Sequence, residues 1–318
     1  MMKKAITKAQ IKERKLLNKE STWHLVLELE KEVFPWQPGD SVAIFPQNEK
    51  EHVDRLLQSV PYDKNQEIVY RGAQTTLYDL LVKKASLSSL SLQEGNFYEK
   101  LPPLTPRLYS IASSSLKSTK ELDLIVSRVS YEKEGKQHFG LCSDFLCRHS
   151  KIQESEIDLF FHASRHFAFS QTNAPILMIA TGAGLAPFKA FLEEQYIHKK
   201  PLDNSWLIFG EKEKEHDFFF EAFLSTLQHK GLHLNTAFSR DQEDKFYVSD
   251  ALLQKSKKTF EWIERGAIIY VCGSIRMGQS VEKALEEIGM KEGGYSLEDA
   301  KRWISKLKSQ KRYLREVY

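Results

Sequence analysis

The sequence predicts two domains: an antiparallel β-barrel, then an α/β domain built on a parallel sheet. Three observations predict this. The chain has 318 residues, and domains run at roughly 150 residues each. From Trp23 to about Phe161 hydrophobicity mostly alternates with a period of two, broken by Gly and Pro turns, the pattern of antiparallel all-β folds. From Pro175 onward short apolar runs alternate with helical stretches, which implies a parallel sheet with helices on both faces.

In chain order, residues 1–19 carry seven Lys/Arg against Glu13 alone and read as a basic tail. His24–Glu30 alternates as a half-buried strand. Pro38-Gly39-Asp40 is a turn before the apolar run Val42–Phe45. Helical patches at Glu49–Val60 and Thr76–Ala85 interrupt the strands, the second followed by a Ser/Leu-rich loop to about Ser91. Arg107–Ala112, Glu121–Val126 and Ile157–Phe161 are further strands. The polar stretch Ser170–Asn173 marks the boundary, giving domains 1–172 and 173–318 with a short helical insert at about 49–100.

The second domain opens with strand Pro175–Ala180, loop Gly182-Ala183-Gly184 and a helix Pro187–Ile197 with proline in its first turn. Strand Trp206–Phe209, helix Asp217–Gln228, strand Leu232–Phe238, helix Ser249–Glu264, strand Ala267–Val271 and helix Met277–Ile288 follow. His216-Asp217 opens its helix, with Asp217 as a cap. Phe218-Phe219-Phe220 reads as core.

Composition excludes several classes. Hydrophobic residues are 41% and charged residues 28%, ordinary for a globular protein and unlike disorder, collagen or a coiled-coil rod. No apolar run reaches the roughly 18 residues of a membrane span, and MMKKAITKAQ lacks the apolar stretch of a signal peptide. Cys142, Cys147 and Cys272 form no Cys-x-x-Cys pair, so a reducing cytoplasm is the expected setting, without a structural zinc. His162 and His166, among four phenylalanines, read as a buried strand-to-loop passage and not a metal pair. The net charge of +3 does not argue for nucleic acid. Residues 1–19 and 301–318 each carry +6, leaving −9 on the remainder. Such ends could steer an acidic partner, and they equally suit solvated lysines on a tail and a helix face.

Three groups of residues carry chemistry. Gly182 and Gly184 follow a strand and open a helix, where glycine lets the backbone approach a pyrophosphate and the helix N-terminus offers free N–H groups; proline stands where the usual fingerprint has its third glycine, and an ordinary turn has the same look. Ser239, Arg240, Lys245 and Tyr247 gather at the end of the third strand of the second domain. An acid there would take a ribose 2′-hydroxyl; these groups suit a 2′-phosphate instead. Two charge-assisted hydrogen bonds at about 1.5–3 kcal/mol each would favour NADPH over NADH by about two to four powers of ten. Asp241, Glu243 and Asp244 among them also fit a mixed-charge surface loop. Arg107 and Tyr109 share one strand face, where arginine can grip a pyrophosphate and tyrosine can lie on a flat ring. Ser110 beside them can bond a redox nitrogen. Gly140 precedes Cys142-Ser143 at another helix start.

Taken together and in order, these motifs resemble the ferredoxin–NADP⁺ reductase-like module of the diflavin reductases. That family includes the sulfite reductase flavoprotein subunit, cytochrome P450 reductase and nitric oxide synthase reductase. The resemblance rests on Gln37–Asp40 with Pro46–Asn48, Arg107–Ser113, Gly140–Leu146, Gly182–Phe188, Phe209–Glu211 with Glu215–Phe218, Ala237–Gln242 with Lys245–Val248, Tyr270–Gly273 and the terminal Tyr313–Tyr318. It runs from about Arg14 to the last residue and is strongest toward the sulfite reductase flavoprotein.

The resemblance implies FAD and NADPH as cofactors. It implies that Arg107 binds FAD pyrophosphate, that Leu108 and Tyr109 lie along the flavin with Tyr109 stacked on it, and that Ser110 sits near its N5. Tyr131 would contact the adenosine end. Ile125, Val126 and Ser127 would run beside the cofactor, and Gly140, Leu141, Cys142 and Ser143 would form the second pyrophosphate segment. Gly182 and Ala183 would receive the nicotinamide half of NADPH, while Ser239, Arg240, Lys245 and Tyr247 take the 2′-phosphate. Cys272 would approach nicotinamide C4, Glu316 would stabilise the charge growing there, and Tyr318 would cover the flavin. The catalytic set is thus Ser110, Cys272 and Glu316.

Four departures stand out against the family pattern. Glu316 replaces an aspartate, Ala183 replaces the threonine of Gly-Thr-Gly, and Ser274 replaces an aspartate in a segment one residue short. The fourth is the expectation that no FMN domain precedes Met1, with the connecting insert reduced to about 49–100. Electrons would then pass singly to a separate acceptor: a flavodoxin, a ferredoxin or the sulfite reductase hemoprotein. The alternative expectation is a non-catalytic or partner-dependent nucleotide-binding subunit of an electron-transfer complex.

Overall fold

The computed structural model describes residues 5–19, 21–33, 35–87, 97–169 and 173–318. The first domain is a six-stranded antiparallel sheet. Its first strand, β1 (Thr7–Leu16), occupies residues expected as a tail. Thr7, Ala9 and Ile11 point inward while Lys8 and Gln10 point out, so a period of two underlies the basic composition. β2 (Thr22–Leu29) and β3 (Ser41–Ile44) follow. The insert holds α1 (Lys50–Gln58), the hairpin β4 (Glu67–Tyr70) and β5 (Ala73–Thr76), and α2 (Leu77–Asp79), which runs into a π-helical turn Leu80–Lys84. It has a small apolar core of its own, built on Val53, Ile68, Leu77, Leu81 and Phe97. Asn48 ties it to the barrel by donating to Leu81 O at 2.6 Å and Ala85 O at 2.8 Å. Residues 88–96, which include the end of the Ser/Leu-rich loop, lie outside the described residues.

β6 (Arg107–Ser110), β7 (Glu121–Ser127), the hairpin β8 (Ser130–Lys133) and β9 (Lys136–Phe139), α3 (Leu141–Asp144) and β10 (Ile157–His162) complete the domain. The strand order is β6-β3-β10-β1-β2-β7. The two outer strands meet at one bridge, Ile111 with Leu124, which curls the sheet into a barrel. Leu25, Leu27, Val42, Ile44, Leu124 and Leu159 fill it.

The second domain begins with β11 (Ile176–Thr181), the 3₁₀ turn Gly182–Gly184 and α4 (Leu185–Ile197). Then come β12 (Ser205–Glu211), α5 (Lys214–Asp217), α6 (Glu221–Gln228), β13 (His233–Phe238), α7 (Val248–Gln254), α8 (Ser256–Glu264), β14 (Ile268–Gly273), α9 (Ile275–Gly293), α10 (Leu297–Ser309) and β15 (Tyr313–Val317). All five strands are parallel, in the order β13-β12-β11-β14-β15. The order reverses between β11 and β14, where such folds bind nucleotides.

Two expected helices differ. The stretch expected as Asp217–Gln228 breaks at Phe220, whose φ of 55° lies in the left-handed region. Asp217 therefore closes α5 and does not cap α6; its side chain accepts from Glu213 N at 2.8 Å. The helix expected over Ser249–Glu264 divides at Lys255. Residues 170–172 of the expected boundary lie outside the described residues. The domains share an apolar core in which Ala112, Ile125 and Phe167 pack with Ala180, Leu185, Phe188 and Phe191. Among the described residues no helix is long and apolar enough to cross a membrane.

Candidate functional site

The carboxyl ends of all five parallel strands open onto one cleft of about 530 Å³, which the barrel closes through Ser127. Thr181, Gly182 and Ala183 follow β11 into it. Gly182 has a φ of +57°, which glycine adopts freely. Gly184 is required for a different reason: a Cβ there would lie 2.1 Å from Cys272 O. The turn thus packs directly on β14, which holds the start of α4 beneath the cleft.

Ser239 and Tyr247 line the cleft beyond β13. Arg240 and Lys245 are exposed beside them and do not line it. Arg240 is held by its backbone, which donates to Lys212 O at 2.8 Å. Lys212, Ser274 and Arg276 also line the cleft. No motif named Lys212 or Arg276, and Ser274 stood only as a departure from the family pattern. One signal could have found them: each closely follows the end of a parallel strand.

On the barrel, Arg107 is exposed and donates to Thr105 Oγ1 at 2.8 Å. The Tyr109 hydroxyl faces the Cys142 thiol, so the strand with Arg107 and the segment Gly140–Ser143 adjoin. Tyr109 itself is half-buried against the barrel core, and burial pushes its hydroxyl up. Cys142 is buried and is pushed up to about 11, again by burial. Ser143 Oγ donates to Gly140 O at 2.9 Å and accepts from Val129 N at 3.1 Å, fixing the turn into α3. Tyr131 is exposed on β8 and stacks on His138, with ring centroids 5.5 Å apart. Ile125 and Val126 are buried, and of that segment only Ser127 lines the cleft.

The two halves meet at the expected catalytic residues. Ser110 Oγ donates to Glu316 Oε1 at 2.9 Å, across 206 positions of sequence. Glu316 Oε2 is buried without a hydrogen-bond partner. Burial raises the Glu316 carboxyl above its usual value, partly offset by the Ser110 hydrogen bond and by His162. Cys272 pairs in register with Glu316 through β14 and β15. Its thiol is 1% exposed, packed with Ala180, Leu185 and Tyr270 and not lining the cleft. Burial and the nearby Glu316 push it well above the ordinary thiol value. Tyr318 is 65% exposed at the cleft, its backbone bonded to Gly273 O and Ile275 N.

The residues present fit a flat, anionic dinucleotide. Val129, Tyr131 and Leu141 are exposed around the turn into α3, where Gly140 N donates to Val129 O at 2.9 Å, and Arg107 and Leu108 are exposed on β6. A ring system would cover such surface, and a pyrophosphate would meet the cation and the free amides. The buried, unpartnered oxygen of Glu316 marks the place where a donor or a growing positive charge would be met.

Fold and site define a class: an oxidoreductase module that pairs an FAD-binding barrel with a dinucleotide-binding α/β domain. Residues 69–145 match the FAD binding domain, and residues 178–283 match the oxidoreductase NAD-binding domain. The chain thus joins an FAD binding domain to an oxidoreductase NAD-binding domain, in that order. It is similar to the sulfite reductase (NADPH) flavoprotein alpha-component of Vibrio cholerae, 30% identical over 93% of this chain and 56% of that protein. The protein of the same name from Mannheimia succiniciproducens is 39% identical over 70% of this chain and 38% of its own length. That from Shewanella oneidensis is 34% identical over 76% and 40%. The chain spans about half the length of the curated relatives it matches most fully.

Proposed function

We propose that the protein is an NADPH-dependent FAD reductase, taking hydride from NADPH and delivering electrons to a separate acceptor. The observation that carries this reading is the Ser110–Glu316 hydrogen bond. It brings a hydroxyl of the FAD-binding domain and a carboxyl of the dinucleotide-binding domain to one point beside the cleft. Bound FAD would supply the hydride-accepting and electron-passing chemistry.

The chain's own groups have separable tasks. Arg107 and the turn Gly140–Ser143 would hold the flavin pyrophosphate, and Tyr131 the adenosine end. Ser239, Arg240, Lys245 and Tyr247 would grip the 2′-phosphate, with Arg276 adding a cation to the cleft lining. Gly182 and Ala183 let the nicotinamide end lie against the backbone. Ser110 orients the Glu316 carboxylate, whose second oxygen is free to stabilise charge as it develops. Tyr318, exposed and at the chain's last strand, would shield the reacting face and yield to nicotinamide. Cys272 supports that face from below; contact with nicotinamide would require its thiol to turn outward. An acidic flavodoxin, a ferredoxin or a sulfite reductase hemoprotein would receive the electrons.

The test is spectroscopic. Purified protein should show flavin absorbance that bleaches anaerobically with NADPH and far more slowly with NADH. Arg240→Ala should raise the KM for NADPH by about tenfold or more and leave NADH turnover nearly unchanged, since one charge-assisted bond is worth about 1.5–3 kcal/mol. Protein that cannot take up FAD, or that NADPH leaves oxidised, would refute the reading.

A further inference from the structure

Lys189 and Asp123 form an ion pair at the centre of the domain interface. Lys189 lies on α4 of the dinucleotide-binding domain and Asp123 on β7 of the barrel, and they are 5% and 3% exposed. Lys189 Nζ donates to Asp123 Oδ2 at 2.9 Å and to Ala112 O at 2.9 Å. Glu193 Oε1 lies 3.6 Å from the same ammonium. Glu193 reaches back across the interface, its Oε2 accepting from Ser114 N at 2.8 Å. Glu194 accepts from Ser114 Oγ at 3.1 Å. The same Asp123 Oδ2 is also approached by His24 Nε2 at 3.3 Å and Lys117 Nζ at 3.7 Å. The Phe220 ring, presented by its left-handed backbone, lies 5.2 Å from Lys189 Nζ and packs edge-on against His24. Burial alone would raise the Asp123 carboxyl; His24 and Lys189 outweigh it and hold the group well below its usual range.

The location of this network gives it a role. Ala112 lies two residues beyond Ser110, Asp123 four before Ser127, and Lys189 five beyond Gly184. One ammonium is therefore tied at once to the strand that carries Ser110, to the strand that reaches the cleft and to the helix that opens from the Gly-rich turn. Apolar packing of Ala112, Ile125 and Phe188 surrounds it but is non-directional and cannot fix the register of the two domains. A buried pair with short, oriented bonds can, and removing one member leaves the other's charge unmet.

We infer that Lys189 is a positioning residue for hydride transfer, setting the gap between the flavin strand and the nicotinamide turn by bridging Asp123 and Ala112 O. This rests on the function proposed above. Geometry matters steeply in such a reaction, where a 1 Å misplacement costs about a hundredfold.

The test compares wild type, Lys189→Met and Lys189→Arg as FAD-loaded full-length protein, with Asp123→Asn as the second route should Lys189→Met fail to fold. Flavin content and the affinity for 2′,5′-ADP report each domain alone. The long-wavelength charge-transfer absorbance on mixing with NADPH and the anaerobic bleaching rate report their apposition. Small-angle scattering without nucleotide reports the domain arrangement directly. Lys189→Met should keep flavin content and 2′,5′-ADP affinity within about twofold, lose the charge-transfer band, bleach about tenfold or more slowly and scatter as a more extended particle; Lys189→Arg should restore band and rate. Unchanged band, rate and scattering would overturn the inference. So would a 2′,5′-ADP affinity that falls in step with the rate, which would mean damage inside one domain. Failure of wild type itself to bleach would strike the proposed function, and the scattering comparison would still decide whether Lys189 sets the arrangement.

Discussion

At the residue scale the site depends on how two side chains, Glu316 and Cys272, are buried. Glu316 holds its proton more tightly in the folded chain than in the unfolded one, because burial raises its carboxyl above the usual carboxylate range. The folded state therefore gains stability as pH falls through that raised value, and ionisation above it costs stability. Glu316→Gln should melt a few degrees higher than wild type at neutral pH in differential scanning fluorimetry, since about 1 kcal/mol moves Tm by roughly 2–8 °C. The same variant should lose about ten- to a hundredfold in anaerobic flavin reduction if the carboxylate stabilises developing charge. Cys272 and Cys147 are buried thiols, the latter pushed up to about 12 by burial. Alkylation by iodoacetamide under native conditions should therefore be slow for both, read by mass spectrometry. The family resemblance nominates Ser110, Cys272 and Glu316 but does not bring them together. Their proximity depends on the β14–β15 register and on a contact spanning both domains. The orientation of Tyr109 was likewise illegible, because strand periodicity fixes a face and not a rotamer.

At the element scale, legibility followed pattern strength. β11, β12 and β14 are built on apolar runs between turns, and they and the more polar β13 were read within one or two residues. β1 was hidden because four of its ten residues are Lys or Arg, although the inward positions alternate. The split at Phe220 had no local signal, since nothing in Asp217–Glu221 announces a left-handed phenylalanine. The turn at Gly182–Gly184 did announce itself, and its constraint is steric. Gly184→Ala would place a Cβ 2.1 Å from the Cys272 carbonyl oxygen, a main-chain atom that no side-chain rotation can move aside. Relief requires β14 or α4 to shift. We expect a loss of about 1–3 kcal/mol, measured by urea unfolding, with Gly182→Ala milder in packing and strained only in φ.

At the scale of the whole molecule the charge distribution is quieter than the sequence suggested. In β1, Lys8 pairs with Glu156 at 2.6 Å and Lys12 with Glu121 at 2.8 Å. Near the other end, Lys308 and Arg315 share Glu282, and Arg302 meets Glu298 and Asp299. Lys301, Lys306 and Lys311 stay exposed on and just beyond α10. Steering of an acidic acceptor would rest on these. Stopped-flow electron transfer to an acidic flavodoxin should slow as ionic strength rises from about 0.01 M to about 0.1 M, where the screening length falls from about 30 Å to about 10 Å. A rate indifferent to salt would remove steering from the account.

The barrel's single closing bridge has a consequence for handling the protein. Beside that bridge the β7 edge is held by the 112–113 segment, with Ala112 N donating to Asp123 O at 2.8 Å and Asp123 N to Ser113 Oγ at 2.9 Å; among the described residues no strand pairs with the rest of the outer edges of β6 and β7, and an unpaired edge invites another chain to pair with it. Flavin-stripped preparations should therefore cloud on concentration, with light scattering tracking the loss of yellow colour. Adding back FAD should restore clarity, the ligand acting as the wedge that keeps one molecule from zipping onto the next.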